Sequence, residues 1–306
     1  MKSYDAVVIG GGPAGMTAAL YLLRAGVKTA MIEKLSPGGQ VLMTAEIENY
    51  PGFPEGLQGW ELADKFANHL DKYDLDRIND EVRGIEIGAP FHTIKVGDED
   101  VQAKVIILAT GSRYRRLGIP GEERLLGKGV SYCALCDGNF FRGQEVAVIG
   151  GGNSALEEAL YLARLVNKVY LIHRRDEFRG LLCYQDKCLT NDKIEPIRAT
   201  VVDEIQGEDQ VESLLLRNVK TDETSELKLD GAFIFVGFEP IMDFVPDEVD
   251  KEQNGVVTDV EMHTNIPGIF AAGDIRAKMC RQVASAVGDG ATAATAAFSY
   301  LEQMED

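Results

Sequence analysis

The chain is poor in cysteine, in basic charge and in long apolar runs, and each shortage removes a class of protein. Five cysteines among 306 residues are too few for the disulfide framework of a small secreted domain, and a close pair among them points to redox catalysis or metal binding. Lysine and arginine number 31 against 49 acidic residues, a net charge of -18, which opposes broad binding to a nucleic-acid backbone or an anionic membrane. No apolar stretch approaches the roughly 18 residues of a membrane span. Residues 1–5 lead straight into a strand without the basic flank or cleavage site of a secretory signal. No nucleic acid and no membrane are therefore expected as partners, and the cytoplasm is the expected location. What is present is 45% hydrophobic and 26% charged, an ordinary globular composition with length enough for two domains. The 32 glycines gather at the ends of apolar runs, where tight turns meet ligands.

One pattern occurs twice. Residues 6–34, AVVIGGGPAGMTAALYLLRAGVKTAMIEK, and residues 146–175, VAVIGGGNSALEEALYLARLVNKVYLIHRR, each read as strand, glycine turn, helix and second strand. A shift of 140 positions places Gly10 on Gly150, Gly12 on Gly152, Gly15 on Ala155 and Leu20-Tyr21-Leu22 on Leu160-Tyr161-Leu162. In such a unit the first glycine permits the turn, the second admits a pyrophosphate against the backbone, and the third position lets helix and strand pack closely. Amides at the helix start then hold the phosphates. The chain thus reads as two fused nucleotide-binding units of the α/β class.

The copies diverge where the second strand ends, about 20 residues after the glycines, at the position that normally recognises the adenosine ribose. The first ends in Glu33, whose carboxylate accepts hydrogen bonds from a free ribose diol and repels a 2′-phosphate. The second ends in His173-Arg174-Arg175, with Arg179 following, and guanidinium groups make charge-assisted bonds to phosphate. One dinucleotide with a free ribose and one NADPH are the expected ligands.

Between the copies lies Cys133-Ala134-Leu135-Cys136-Asp137. Two intervening residues allow a reducible disulfide at a helix start, where the amide dipole eases departure of a thiolate, and Asp137 is placed to move a proton. The competing reading is a zinc site completed by Cys183 and Cys188, which would make the protein a nucleotide-binding redox sensor. Against it, the C-x4-C half follows 46 residues later without turn glycines. Cys183 and Cys188 then read as free helical thiols, and Cys280 as a small packed one.

With paired dinucleotide motifs, an intervening C-x-x-C-D and an H-R-R-x-x-x-R tail, the sequence resembles, over essentially its whole length, the low-molecular-weight, bacterial-type thioredoxin reductases. Family-like stretches include Gly10-Gly11-Gly12-Pro13-Ala14-Gly15, Gly38-Gly39-Gln40, Glu48-Asn49-Tyr50-Pro51-Gly52, Ala109-Thr110-Gly111, Ala272-Gly273-Asp274 and Arg281-Gln282. The resemblance implies two Rossmann-like dinucleotide-binding domains of the three-layer ββα type. The NADPH domain, residues 114–243, would be inserted into a discontinuous FAD domain, residues 1–113 and 244–306. It further implies that Gly10, Gly12, Pro13, Ala14, Gly15, Glu33, Gly39, Gln40, Asn49, Thr110, Gly111, Gly273, Asp274, Arg281 and Gln282 line FAD, with Asp274 on the ribitol. Gly150, Gly152, Asn153, Ser154, His173, Arg174, Arg175 and Arg179 would line NADPH. Leu135, Gly180, Cys183 and Cys188 depart from the family pattern.

By the same resemblance, NADPH reduces FAD, FAD reduces a Cys133–Cys136 disulfide through Cys136, and Cys133 attacks the disulfide of thioredoxin, with Asp137 handling the proton. A homodimer is implied, as is rotation between domains about crossings near Arg113-Tyr114 and Pro240–Phe244. Another small redox protein as substrate, or NADH or ferredoxin as donor, is the neighbouring alternative. A peroxidase-linked relative with an added thioredoxin-like domain is not expected, because the chain starts at its first nucleotide strand. For docking, Arg113, Arg115, Arg116, Arg124 and Lys128 form the densest basic stretch near Cys133, and Phe140 and Phe141 offer either an apolar contact or the start of the next core strand.

Overall fold

The apolar runs at residues 6–9, 105–108 and 146–149 are hydrophobic without alternation, the pattern of a strand covered on both faces. The computed structural model, which describes residues 2–44, 47, 49–252 and 255–305 apart from the side chains of Met43, Leu135, Cys136 and Glu305, buries each of them so. Along Lys2–Ile9, Ala6 and Val8 face a layer of helices, while Val7 and Ile9 face a second layer of strands and loops. Val146 and Val148 divide from Ala147 and Ile149 in the same way. The period of two in strand side chains thus sorts one apolar run into two cores.

The protein divides into two units, Met1–Arg113 with Glu239–Asp306, and Tyr114–Phe238. In the first, a seven-stranded sheet runs Asp76–Ile78, Thr29–Ile32, Lys2–Ile9, Glu99–Leu108, His92–Val96 and Val82–Glu86. Glu99–Leu108 is the pivot. It pairs in parallel with Lys2–Ile9 and with Ile269–Ala271, and antiparallel with His92–Val96. Helices Pro13–Arg24 and Val283–Glu305 pack together on one face, close enough that a Cβ at Gly290 would lie 2.2 Å from the Ala14 carbonyl oxygen. The alanine-rich C-terminal stretch is therefore a helix packed on small residues.

In the second unit a parallel sheet of Ile194–Ile197, Lys168–Ile172, Glu145–Gly150, Gly231–Phe235 and Val130–Ser131 lies between two layers. Helix Asn153–Ala163 packs on one face, and the antiparallel sheet Thr200–Gln206, Ser213–Asn218 and Thr224–Lys228 on the other, through Val202, Ile205, Leu214 and Leu216. This is the three-layer ββα arrangement.

The return crossing falls at Phe238/Glu239, five residues before the expected 243/244. Residues 239–243 are tied to the first unit. Thr110 Oγ1 donates to the Ile241 carbonyl at 2.9 Å and Ile241 N–H to the Gly111 carbonyl at 3.0 Å. Arg113 also pairs with Asp243 at 2.9 Å and Glu239 at 3.7 Å.

Candidate active site

Each glycine turn is shaped by a strand beside it. Gly10 has φ +110°, and a Cβ there would lie 2.3 Å from the Ala109 carbonyl oxygen. Gly150 has φ +154°, and a Cβ there would lie 2.3 Å from the Phe235 carbonyl oxygen. No side chain fits either position. At Gly12 and Gly152 a Cβ would meet nothing within 4 Å, so the helix starts at Pro13 and Asn153 face open space across backbone alone. Both turns have the open shape at a helix start that a pyrophosphate requires.

In the first cradle Glu33 accepts the Gly11 N–H at 2.7 Å and the Leu35 N–H at 2.9 Å, fixing its carboxylate beside the turn. Gly39 lies over Gly12, where its Cβ would approach the Gly12 Cα to 3.2 Å. Gln40 donates to the Ser112 carbonyl at 2.7 Å and Oγ at 3.0 Å, and Asn49 donates to Gln282 Oε1 at 3.0 Å. These amides are thus held by the protein. Arg281 reaches the Arg276 carbonyl at 3.4 Å.

Asp274 is different. Its Oδ1 is buried without a hydrogen-bond partner, the nearest ammonium, Lys278 Nζ, being 4.0 Å away, and burial pushes its carboxyl above the ordinary carboxylate range. A buried orphan acceptor is costly, and a ribitol hydroxyl would satisfy it. The turn carrying Asp274 is braced by Asp289 of the C-terminal helix. That carboxylate takes Arg276 at 3.0 Å, Lys278 at 2.8 Å and the Gly273 N–H at 3.0 Å. Sequence reasoning passed over Asp289. The one signal was an acid between Gly288 and Gly290 in an otherwise small and apolar helix. Asp289→Ala leaves two cations, each about one-eighth exposed, without their carboxylate. Loss of a buried partner costs about 3–5 kcal/mol, to be read as a lowered urea midpoint with early flavin release.

In the second cradle the Gly151 carbonyl accepts the N–H groups of Arg179 at 2.6 Å and Gly180 at 3.1 Å, and Asn153 Oδ1 accepts that of Leu181 at 2.8 Å. A Cβ at Gly180 would press to 2.5 Å on Leu156, so glycine at this departure from the family pattern lets the loop lie on the helix start. His173 is buried, with its ring beneath Gly151 and stacked on Phe178 at 5.6 Å. Burial, helped by the charges of Arg179, Arg175 and Arg174, holds its imidazole below the ordinary range. It forms the floor of the turn, whereas Arg174, Arg175 and Arg179 are exposed with no carboxylate paired to them among the described residues. Three unpaired guanidinium groups beside a phosphate turn fit a 2′-phosphate.

Cys133 is buried and disulfide-bonded, at the start of the one-turn helix Ala134–Asp137. The side chain of Cys136 lies outside the described residues. Asp137 is half-buried and accepts from Ser131 Oγ at 2.6 Å, and the same oxygen accepts the Cys133 N–H at 3.0 Å. Ser131, two residues ahead of the motif, went unnoticed in the sequence.

Other expectations divide. Phe140 is 79% exposed, whereas Phe141 is buried edge-on against Phe233. Within the basic stretch, Arg113 and Arg116 are paired to carboxylates, and Arg124 donates to the Gly207 and Glu208 carbonyls. Cys183 and Cys188 are free thiols of helix Leu182–Leu189. Cys188 donates to the Leu156 carbonyl at 3.4 Å, and burial pushes its thiol up to about 11. Cys280 is exposed rather than packed. Among the described residues no group of three His, Cys, Asp or Glu side chains could hold a metal, and no helix is long and apolar enough to cross a membrane.

Two dinucleotide cradles and a disulfide beside a carboxylate define a class of flavin-dependent reductase. The chain belongs to the pyridine nucleotide-disulphide oxidoreductase family, whose family model matches residues 4–290. Within that class it is similar to thioredoxin reductases. It is 44% identical to that of Listeria innocua and 42% identical to that of Bacillus subtilis, in each case across 100% of this chain and across 96% and 97% of the relatives. The crystal structure of Lactococcus lactis thioredoxin reductase matches with TM-score 0.95 at 47% identity, covering 98% of this chain and 99% of that one. FAD and NADPH are the dinucleotides of this family, and the two cradles fit them.

Proposed function

We propose that this chain is a thioredoxin-disulfide reductase in which a Cys133–Cys136 disulfide carries electrons from the flavin side to thioredoxin. The observation that carries the reading is the disulfide at Cys133 with Asp137 fixed four residues on, in a unit whose other ligand site ends in unpaired arginines. With Cys183, Cys188 and Cys280 free, Cys136 is the remaining cysteine for the bond.

Glu33, the turn Gly10–Gly12 and Asp274 hold the FAD, while Arg174, Arg175 and Arg179 hold the 2′-phosphate of NADPH and select it over NADH. Bound FAD supplies the two-electron chemistry between nicotinamide and disulfide. Cys136 takes the electrons, and Cys133 attacks the thioredoxin disulfide to form a mixed disulfide, which Cys136 resolves as dithiol thioredoxin leaves. Asp137 gives a proton to the departing thiolate and receives it back. Phe140, apolar and exposed near the cysteines, is the contact for thioredoxin.

The FAD site and the cysteines belong to different units, so the disulfide must serve the flavin and an external protein in turn. Rotation at the crossings 113/114 and 238/239 serves both. A homodimer in the cytoplasm completes the reading, since a reducing compartment suits a disulfide that turns over. The test is steady-state oxidation of NADPH or NADH with oxidised thioredoxin. Two thiols formed per NADPH, and little turnover with NADH, are expected. Turnover without thiol formation removes the reading.

A further inference from the structure

Ser131 ends the strand Val130–Ser131, where it sits opposite Phe233 in the parallel sheet, and it is 4% exposed. Its hydroxyl touches both ends of the redox motif. Oγ lies 2.6 Å from Asp137 Oδ2, accepts the Cys133 N–H at 3.0 Å, and stands 3.2 Å from the Cys133 carbonyl oxygen. A hydroxyl has one proton to donate and two lone pairs to accept with. Two acceptors therefore compete for the one proton, and which of them takes it depends on the charge of Asp137.

We propose that Ser131 is a positioning residue, a hydroxyl rotor that keeps Asp137 aimed at the cysteines in both of its protonation states. The inference rests on the proton-transfer role proposed for Asp137. Reduction of a disulfide to a dithiol takes up two electrons and two protons; the hydride of NADPH supplies both electrons and one proton by way of the flavin, and the second proton, drawn from solvent, passes through Asp137. While Asp137 is a carboxylate, Ser131 Oγ–H points to Oδ2, the shorter of the two contacts. When Asp137 takes a proton, it takes it at Oδ1, the oxygen not held by Ser131; Oδ2 becomes a neutral and weaker acceptor, and the Cys133 carbonyl competes with it for the one hydroxyl proton. The Cys133 N–H stays bonded to Oγ throughout. Asp137 Oδ2 faces the same hydroxyl in both states, so the carboxyl does not have to swing. Alanine provides neither bond, whereas threonine provides both from a β-branched residue suited to a strand.

The test uses the FAD-loaded full chain in three forms, Ser131→Ala, Ser131→Thr and Asp137→Asn, each followed by NADPH bleaching of the flavin and by turnover with thioredoxin over a range of pH. Loss of one hydrogen bond to a charged group corresponds to a drop of about ten- to hundredfold. Ser131→Ala should lower kcat for thioredoxin by that amount and displace its pH profile, with KM for thioredoxin and the rate of flavin bleaching unchanged. Ser131→Thr should restore both kcat and the profile. If Ser131→Ala keeps the wild-type kcat and profile while Asp137→Asn is slow, the rotor is wrong and the role of Asp137 stands. If Asp137→Asn is itself unimpaired, both fall. Equal losses in Ser131→Ala and Ser131→Thr, accompanied by a lowered thermal midpoint, would make Ser131 a packing residue only and overturn the proposal.

Discussion

Replacement of Cys133 by serine is expected to lower thioredoxin reduction by roughly three orders of magnitude or more while NADPH still bleaches the flavin. Removal of one cysteine of the pair disables the exchange, since Cys136 alone could at most form a mixed disulfide and has no paired thiol to resolve it. The thiols outside the motif do not replace Cys133: Cys280 belongs to the other unit. Cys188 is buried with a raised pKa, and Cys183 lies on a separate helix, Leu182–Leu189. Hydride acceptance depends on the two cradles, which the substitution does not touch. Separate stopped-flow records of flavin reduction and of thioredoxin thiol appearance distinguish the two halves. Parallel loss of both would mean that Cys133 supports the fold and not the exchange.

The double substitution Arg174→Ala with Arg175→Ala is expected to raise the KM for NADPH by roughly two orders of magnitude and to leave that for NADH nearly unchanged. Each guanidinium is exposed and unpaired among the described residues, so its removal frees no buried carboxylate and should not disturb the fold. Hydrogen bonds to charged groups contribute about 1.5–3 kcal/mol each, and about 1.4 kcal/mol is a factor of ten. His173→Ala should behave differently. Its ring supports Gly151, so both nicotinamide cofactors should weaken together. The ratio of KM values for the two cofactors, measured for each variant, separates recognition of the phosphate from support of the turn.

The two nucleotide units were legible because their determinants are local. Gly10 and Gly150 sit at strand ends where the next carbonyl leaves no room for a Cβ, and an apolar run without alternation already tells of burial on both faces. The chemistry of Glu33 and of the arginine tail could be read from charge alone. What escaped depended on partners distant in sequence. Arg113 looked like a free cation until Asp243 and Glu239 met it, and the same contacts carry residues 239–243 into the first unit, with Gly237, directly before Phe238, as the local signal of the crossing. Phe140 and Phe141 are neighbours with opposite fates because a single tight turn, Gly138–Phe141, sends one into the core and the other outward. His173 carried the right motif with a different placement, since a ring beneath Gly151 leaves no trace in spacing. Asp289 and Ser131 were ordinary polar residues in sequence. Their weight comes from what they touch, the turn of Asp274 in one case and the start of the cysteine helix in the other.

The relay is tested most directly by anaerobic reduction of the FAD-loaded protein with NADPH, followed by oxidised thioredoxin in a second mixing step. The expected result is that the bleached flavin regains its colour and that two thiols appear on each thioredoxin reduced. A flavin that stays bleached in the presence of oxidised thioredoxin, and recovers only with oxygen, would contradict electron passage through Cys133.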